Sequence, residues 1–179
     1  MPEKTLASQR PYEGRLISLR VDEVEMENGR RTTREVVEHP GAVGILAWDG
    51  ERLAFVSQWR QPAAATLLEI PAGTLDPDES PATTARRELA EEVSLAAGGW
   101  EAGPSFFTAP GFCTERLSLF LATDLSPVED MQADDDEAIE PSWLGLDEAL
   151  AAIDDGRIVD AKSIAGVLWL ARRLRMPSA

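Results

Sequence analysis

Residues 73–95 read GTLDPDESPATTARRELAEEVSL, and the rest of the chain is best understood outward from this run. Ser80-Pro81 marks a helix start. The serine hydroxyl can cap the first amides, and proline at the first helical position gives up only an amide that would have no partner. Ala82 to Val93 favour helix, with Ala82, Ala85, Leu89 and Val93 spaced to bury one face. Glu88, Glu91 and Glu92 stand three and four residues apart and share another face. Like charges so placed destabilise an isolated helix by roughly 0.2–0.5 kcal/mol per pair, and the helix dipole disfavours anions near the C-terminal end. Something must offset that repulsion. A hard divalent cation would, because Mg2+ and Mn2+ prefer carboxylate oxygens; the plain alternative is a solvated acidic face.

Composition narrows what such a helix serves. A chain of 179 residues, 44% hydrophobic and 27% charged, suits one soluble globular domain with room for a small appendage. A formal charge of -15 argues against nucleic-acid binding through a basic surface. An anionic substrate would need metals and a few placed arginines. Of 17 basic residues only Lys4 and Lys162 are lysines, and arginine's planar fork suits phosphate oxygens. The single cysteine, Cys113, rules out an intramolecular disulfide and a cysteine-rich zinc site, and reads as a small loop residue. The single histidine, His39, removes most histidine-based acid–base schemes. No signal-like start and no run of 18 apolar residues occur, so the expectation is a cytoplasmic protein without a membrane partner.

Along the chain, residues 1–10 are polar and expected to be loosely attached. Residues 12–38 alternate around Asn28-Gly29 and predict an antiparallel β-meander. Residues 42–48, AVGILAW, suit a strand buried on both faces; Asp49-Gly50 predicts a hairpin turn, and residues 52–59 the returning strand. Further strands are expected at 67–70, 100–108, 115–125 (with Leu117, Leu119 and Leu121 alternating) and 139–144, with a turn at Gly98-Gly99. Residues 147–154 predict a short helix, and 160–175 a final one with Ile164, Val167, Leu168, Ala171 and Leu174 on one face. The class is α+β: a mixed β-sheet between helices, an α/β/α sandwich with the meander as an extra piece.

The run at 73–95 also fits a pattern: glycine, five residues, Glu79, seven residues, then Arg87-Glu88-aliphatic-x-Glu91-Glu92-x-x-aliphatic. It resembles the Nudix box, the signature of hydrolases that cleave a nucleoside diphosphate linked to another moiety. The one departure is Ser94, where that family has glycine. A left-handed serine there costs about 1–2 kcal/mol, or the helix ends another way. Residues 34–39 (REVVEH), Gln58-Trp59-Arg60, 68–73 (LEIPAG), Ala109-Pro110-Gly111 followed by Glu115, and 134–139 (DDDEAI) resemble the ADP-ribose pyrophosphatase subfamily. Pro110, 15 positions after Leu95, matches a proline that marks ADP-ribose-preferring members.

The resemblance implies a Nudix fold over 39–179, with residues 1–38 as a tail and meander exchanged between the protomers of a homodimer. It implies hydrolysis of ADP-ribose to AMP and ribose 5-phosphate with Mg2+ or Mn2+. Another nucleoside diphosphate sugar such as GDP-mannose is the alternative substrate, and a non-catalytic ADP-ribose-binding module a more distant reading. Metal ligands are implied at Glu88, Glu92, the Ala72 carbonyl and Glu137. The base falls at Asp135 by register, with Glu137 or Asp136 as alternatives in the acidic loop and Glu91 close by. Gly73, Glu79 and Arg87 would support the geometry of the box. Arg34 and Arg60 match positions that contact phosphate or ribose, and Glu115 one near the terminal ribose or metal. Trp59 could stack on adenine or serve a core or dimer contact.

Overall fold

The computed structural model describes residues 3–128 and 141–175. The chain divides into two compact units, Met1–Gly41 with Phe106–Arg116, and Ala42–Ser105 with Leu117–Ala179.

In the first unit Lys4–Glu13 (β1), Ser18–Glu25 (β2) and Arg31–Glu38 (β3) form an antiparallel sheet in that order. Gly29, at φ 75°, turns the chain between β2 and β3. Residues 4–10 are not part of a loose tail, as their polarity suggested, but belong to β1. β1 is laddered onto β2 although all ten of its residues are exposed. Backbone pairing and charge replace apolar burial: Ser8 donates to Asp22 at 2.6 Å, Arg10 to Glu38 at 2.7 Å, and Arg20 reaches both carboxylates. Pro11 has no N–H to donate, and the register slips between Gln9 and Tyr12, where it sits.

In the second unit Ala42–Ala47 (β4) is buried at all six positions, as an apolar run without alternation requires. After it come Arg52–Arg60 (β5), a 3-10 turn at Gln61–Ala63, Ala65–Glu69 (β6), Ala72–Thr74 (β7) and the helix Pro81–Val93 (α1). Leu95–Phe107 (β8), Arg116–Pro127 (β9), Ser142–Gly145 (β10), Leu146–Asp154 (α2) and Ala161–Arg175 (α3) complete the order. One sheet is β7-β4-β9-β8, with β4 parallel to β9 and antiparallel to β7; the other is β10-β5-β6. Asp49-Gly50 therefore does not close an ordinary hairpin: β4 and β5 meet at a single Trp48–Leu53 bridge and enter different sheets. Gly98 and Gly99 lie inside β8 and not at a turn. A Cβ on Gly99 would come 2.3 Å from Thr123 Oγ1, so close approach to β9 explains the glycine. Phe120 and Ala122, which cluster with Ala85, Leu89 and Val93 of α1, are buried along with Leu117, Leu119 and Leu121, so both faces of β9 are covered.

Pleat alternation places α1 and α3 on opposite faces of β4. Val43, Ile45 and Ala47 cluster with Ala85, Leu89 and Val93 of α1. A Cβ on Gly166 of α3 would come 3.1 Å from Leu46 and 3.2 Å from Ile70. The mixed sheet is thereby held between helices, as the sequence predicts. The buried stripe of α3 is rotated from the expected one: Ser163, Gly166, Val167, Leu170 and Ala171 face inward, while Leu168 and Leu174 are half exposed. Small residues bring the helix close, and the larger apolar side chains turn outward. No described helix is long and apolar enough to cross a membrane.

Candidate active site

Both ends of α1 follow from local chemistry. Ser80 Oγ accepts the Thr83 N–H at 3.2 Å, and Ser94 adopts φ 54°, ψ 37°, its N–H closing on the carbonyls of Ala90 and Leu89. The helix exit is left-handed without the usual glycine.

The acidic face of α1 is turned toward β7. A Cβ built on Gly73 would fall 1.9 Å from Cδ and Oε1 of Glu88, so only glycine leaves room for that carboxylate. Glu92, buried at 7% exposure, accepts the Ala72 N–H through Oε2 at 2.9 Å. Two carboxylates one turn apart thus converge on the same peptide of β7.

Arg87 holds the surrounding charge. Its Nη1 donates to Glu88 at 2.7 Å and to Glu91 at 2.8 Å, and its Nη2 to Glu79 at 3.1 Å. Thr84 Oγ1 also donates to Glu79, at 2.9 Å. The repulsion expected along the helix is therefore offset within the protein at Glu88 and Glu91, and a cation is not its only remedy. The hydrogen bond from Arg87 holds the Glu79 carboxyl below the usual carboxylate range, and the same bond raises Arg87 further above neutrality.

Glu88 and Glu92 supply oxygen donors of the kind a hard divalent cation takes, so they fit Mg2+ or Mn2+ in chemistry, while the contact the structure shows at Ala72 is through its N–H. Among the described residues no three His, Cys, Asp or Glu side chains form a set that could hold an ion. Asp135, Asp136 and Glu137 lie outside the described residues.

Arg60, at the end of β5, donates to Glu69 through Nε at 2.9 Å and Nη2 at 2.6 Å. Glu69 is 2% exposed and also accepts Lys162 Nζ, which donates to Asp160 at 3.1 Å. Burial pushes the Glu69 carboxyl up, but the bonds from Arg60 and Lys162 outweigh it and hold it below the ordinary range. Arg60 is raised chiefly by its bond to Glu69, with Glu92 and Asp160 adding to the effect, so it stands within the field of the box glutamate. Trp59 is 57% exposed and donates Nε1 to Gln61 at 2.9 Å, which removes the core alternative for its ring.

Arg34 and Glu115 belong to the other unit. Arg34 forks onto Glu3 at 3.1 and 2.5 Å and lines a cavity of about 610 Å³ with Glu35, Phe107, Pro110 and Phe112. Glu115 accepts Thr108 Oγ1 at 2.5 Å and lies 3.6 Å from His39 Nδ1, which accepts the Gly41 N–H. Sequence reasoning missed Thr84, Glu69, Asp160 and Lys162. Lys162 carried a signal as one of two lysines in an arginine-rich chain, and Glu69 lay within the run 68–73 that carried the resemblance without being assigned a role.

Residues 38–166 match the Nudix domain, and residues 3–37 the nucleoside diphosphate sugar hydrolase N-terminal domain. An ADP-ribose pyrophosphatase of Bacillus subtilis (strain 168) is 39% identical over 172 residues, 95% of this chain and 93% of that protein. A methanol dehydrogenase activator of Bacillus methanolicus is 41% identical over 170 residues, 94% of this chain and 92% of that protein. A crystal structure of an ADP compounds hydrolase superposes with a TM-score of 0.87 at 22% identity, over 98% of this chain and 95% of that one, a likeness of fold. With its box built as described and the family domain spanning most of its length, the chain belongs to the Nudix hydrolase family.

Proposed function

We propose that this Nudix hydrolase splits the diphosphate of ADP-ribose into AMP and ribose 5-phosphate. The observation that carries the reading is the convergence of Glu88 and Glu92 on the Ala72-Gly73 peptide. On this reading Glu88, Glu92 and the Ala72 carbonyl, completed by Glu137, hold Mg2+ or Mn2+. A divalent ion bound there supplies Lewis acidity for the diphosphate oxygens and lowers the pKa of water. Asp135 takes the proton of the attacking water, with Glu137, Asp136 and Glu91 as the other carboxylates within the proposed site. Arg60 and Arg34 contact phosphate or ribose, Glu115 the terminal ribose, and the exposed Trp59 ring stacks on adenine. The name of the B. subtilis relative supports ADP-ribose as the substrate.

The protein acts as a homodimer in the cytoplasm, with residues 1–38 exchanged and residues 39–179 forming the hydrolase domain. The uncovered Leu6, Tyr12, Leu16 and Ile17 support this, since a second copy would bury what this unit leaves exposed. Arg34 then serves the partner's site. A monomer by light scattering with full activity would sink that arrangement.

The test of the activity is a panel of nucleoside diphosphate compounds, ADP-ribose and GDP-mannose among them, assayed with Mg2+ or Mn2+ in 18O-labelled water. AMP and ribose 5-phosphate should appear, and Glu92→Gln should lower turnover by orders of magnitude with the fold intact. Faster cleavage of GDP-mannose would move the substrate, and ADP-ribose bound without AMP release would make the chain a binding module.

A further inference from the structure

Lys162 is one of two lysines among 17 basic residues, and its side chain is only 12% exposed. It stands in the first turn of α3 with Nζ donating to both Glu69 and Asp160. Asp160 also accepts the Lys162 N–H at 3.1 Å and the Ser163 N–H at 3.2 Å, and Ser163 Oγ accepts the Ile70 N–H at 2.8 Å. The start of α3 is thus tied to the chain immediately before Ala72-Gly73. A compact ammonium can sit between two carboxylates where a planar guanidinium fork would not.

Arg60 meets Glu69 from the other side. A guanidinium has five N–H donors. Glu69 takes two of them, three remain, and 40% of the Arg60 side chain is exposed. Glu69 and Asp160 carry two negative charges against the two positive charges of Arg60 and Lys162, and Glu92 adds its field at Arg60. Without Lys162, Arg60 alone would face these carboxylates, and an approaching diphosphate would meet a more negative group.

We infer that Lys162 is a positioning residue for substrate binding: it shares the Glu69 charge with Arg60, so that less of the Arg60 charge is taken up by Glu69 and its outward donors serve the diphosphate. The inference rests on the proposed reading of Arg60 as a phosphate contact.

The experiment measures KM and kcat for ADP-ribose, with Tm alongside, for Lys162→Met in the wild-type and Arg60→Gln backgrounds. Lys162→Met should raise KM about tenfold while kcat changes less, and should add nothing to KM once Arg60 is gone. An unchanged KM, or an equal rise in both backgrounds, would overturn the inference. If Lys162→Met folds poorly, the pair Glu69→Gln/Lys162→Met removes both buried charges at similar volume and keeps the wild-type net charge. That pair should return KM toward wild type, and a high KM with a normal Tm would overturn the role just as firmly. A wild-type protein that releases no AMP would refute the diphosphate reading itself, and the inference with it. That failure is distinguishable from an active wild type whose Lys162 variant binds substrate normally.

Discussion

Gly73→Ala isolates the contact on which the proposed metal site depends. Gly73 does not occupy positive φ, so alanine meets no backbone penalty there; its cost is the Glu88 carboxyl alone. The new Cβ would fall 1.9 Å from Cδ and Oε1, against the 3.4 Å of ordinary contact, so Glu88 must retreat by about 1.5 Å. A long, flexible side chain can do so for about 0.5–1.5 kcal/mol of rotamer strain. The smaller entropy of the unfolded alanine chain returns about 0.4–1 kcal/mol of that. Thermal unfolding should therefore move by no more than about 4 °C. Activity should not survive as well. A misplacement near 1 Å can cost roughly 100-fold, and each tenfold step is about 1.36 kcal/mol of transition-state stabilisation. The assay is kcat/KM on ADP-ribose for Gly73→Ala, Glu88→Ala and the double variant, each with a melting curve. Because both single changes act through one carboxylate, the double variant should be no worse than Glu88→Ala. Activity within threefold of wild type in Gly73→Ala, or losses that simply multiply, would refute the argument.

Three further outcomes follow from the packing and charge. Leu89→Ala empties a fully buried position on the α1 face and should cost about 2–5 kcal/mol, read as a lowered urea midpoint with an unchanged slope. Ser94→Gly relieves a left-handed serine and should stabilise by about 0.5–1 kcal/mol; a lower Tm would mean that the serine has a role beyond the helix exit. Glu69 has a depressed folded pKa, so its stabilising contribution is present above the unfolded carboxylate value of about 4.3 and is lost as pH falls through the folded value. Glu69→Gln should be less stable than wild type at pH 7 and show a shallower loss between pH 5 and 3, measured by urea titration at each pH.

The box was legible because everything in it is local. Ser80, Pro81 and the three- and four-residue spacings act within one helix, and the structure places them as read. What the sequence hid depends on partners far along the chain. β1 is polar throughout, yet β2 gives it a ladder and Asp22 and Glu38 give it ion pairs. Gly98-Gly99 looks like a turn by composition, but the approach of Thr123 and Asp124 makes it part of a strand. The charge cluster at Arg60 joins β5, β6 and the start of α3, and Lys162 is 93 residues from the carboxylate it meets. The roles of Asp135 and Glu137 rest on resemblance alone, since an acidic run by itself does not distinguish a base from a solvated surface, and both residues lie outside the described part of the chain.

A protein of net charge -15 that takes an anionic diphosphate must keep cations available, yet each arginine considered for the site already has a carboxylate. The three pairings differ in what they leave over. Arg87 is committed to Glu79, Glu88 and Glu91, so its charge serves the architecture of the box. Arg34 pairs with Glu3 where both side chains are substantially exposed, and a surface pair is worth about 0–1 kcal/mol, which an incoming phosphate can displace. Arg60 is different again: its partner is buried and also held by Lys162, so exchange would leave a carboxylate under-compensated inside the protein. On the proposed reading it would bind substrate without releasing Glu69, through donors left over from a bidentate pair. The two guanidinium groups are about equally exposed, at 43% and 40%, so salt screens their contacts with substrate alike and the difference lies in what each must release. KM for Glu3→Gln tests the exchange at Arg34: with no carboxylate to displace, KM should fall, and an unchanged KM would refute it.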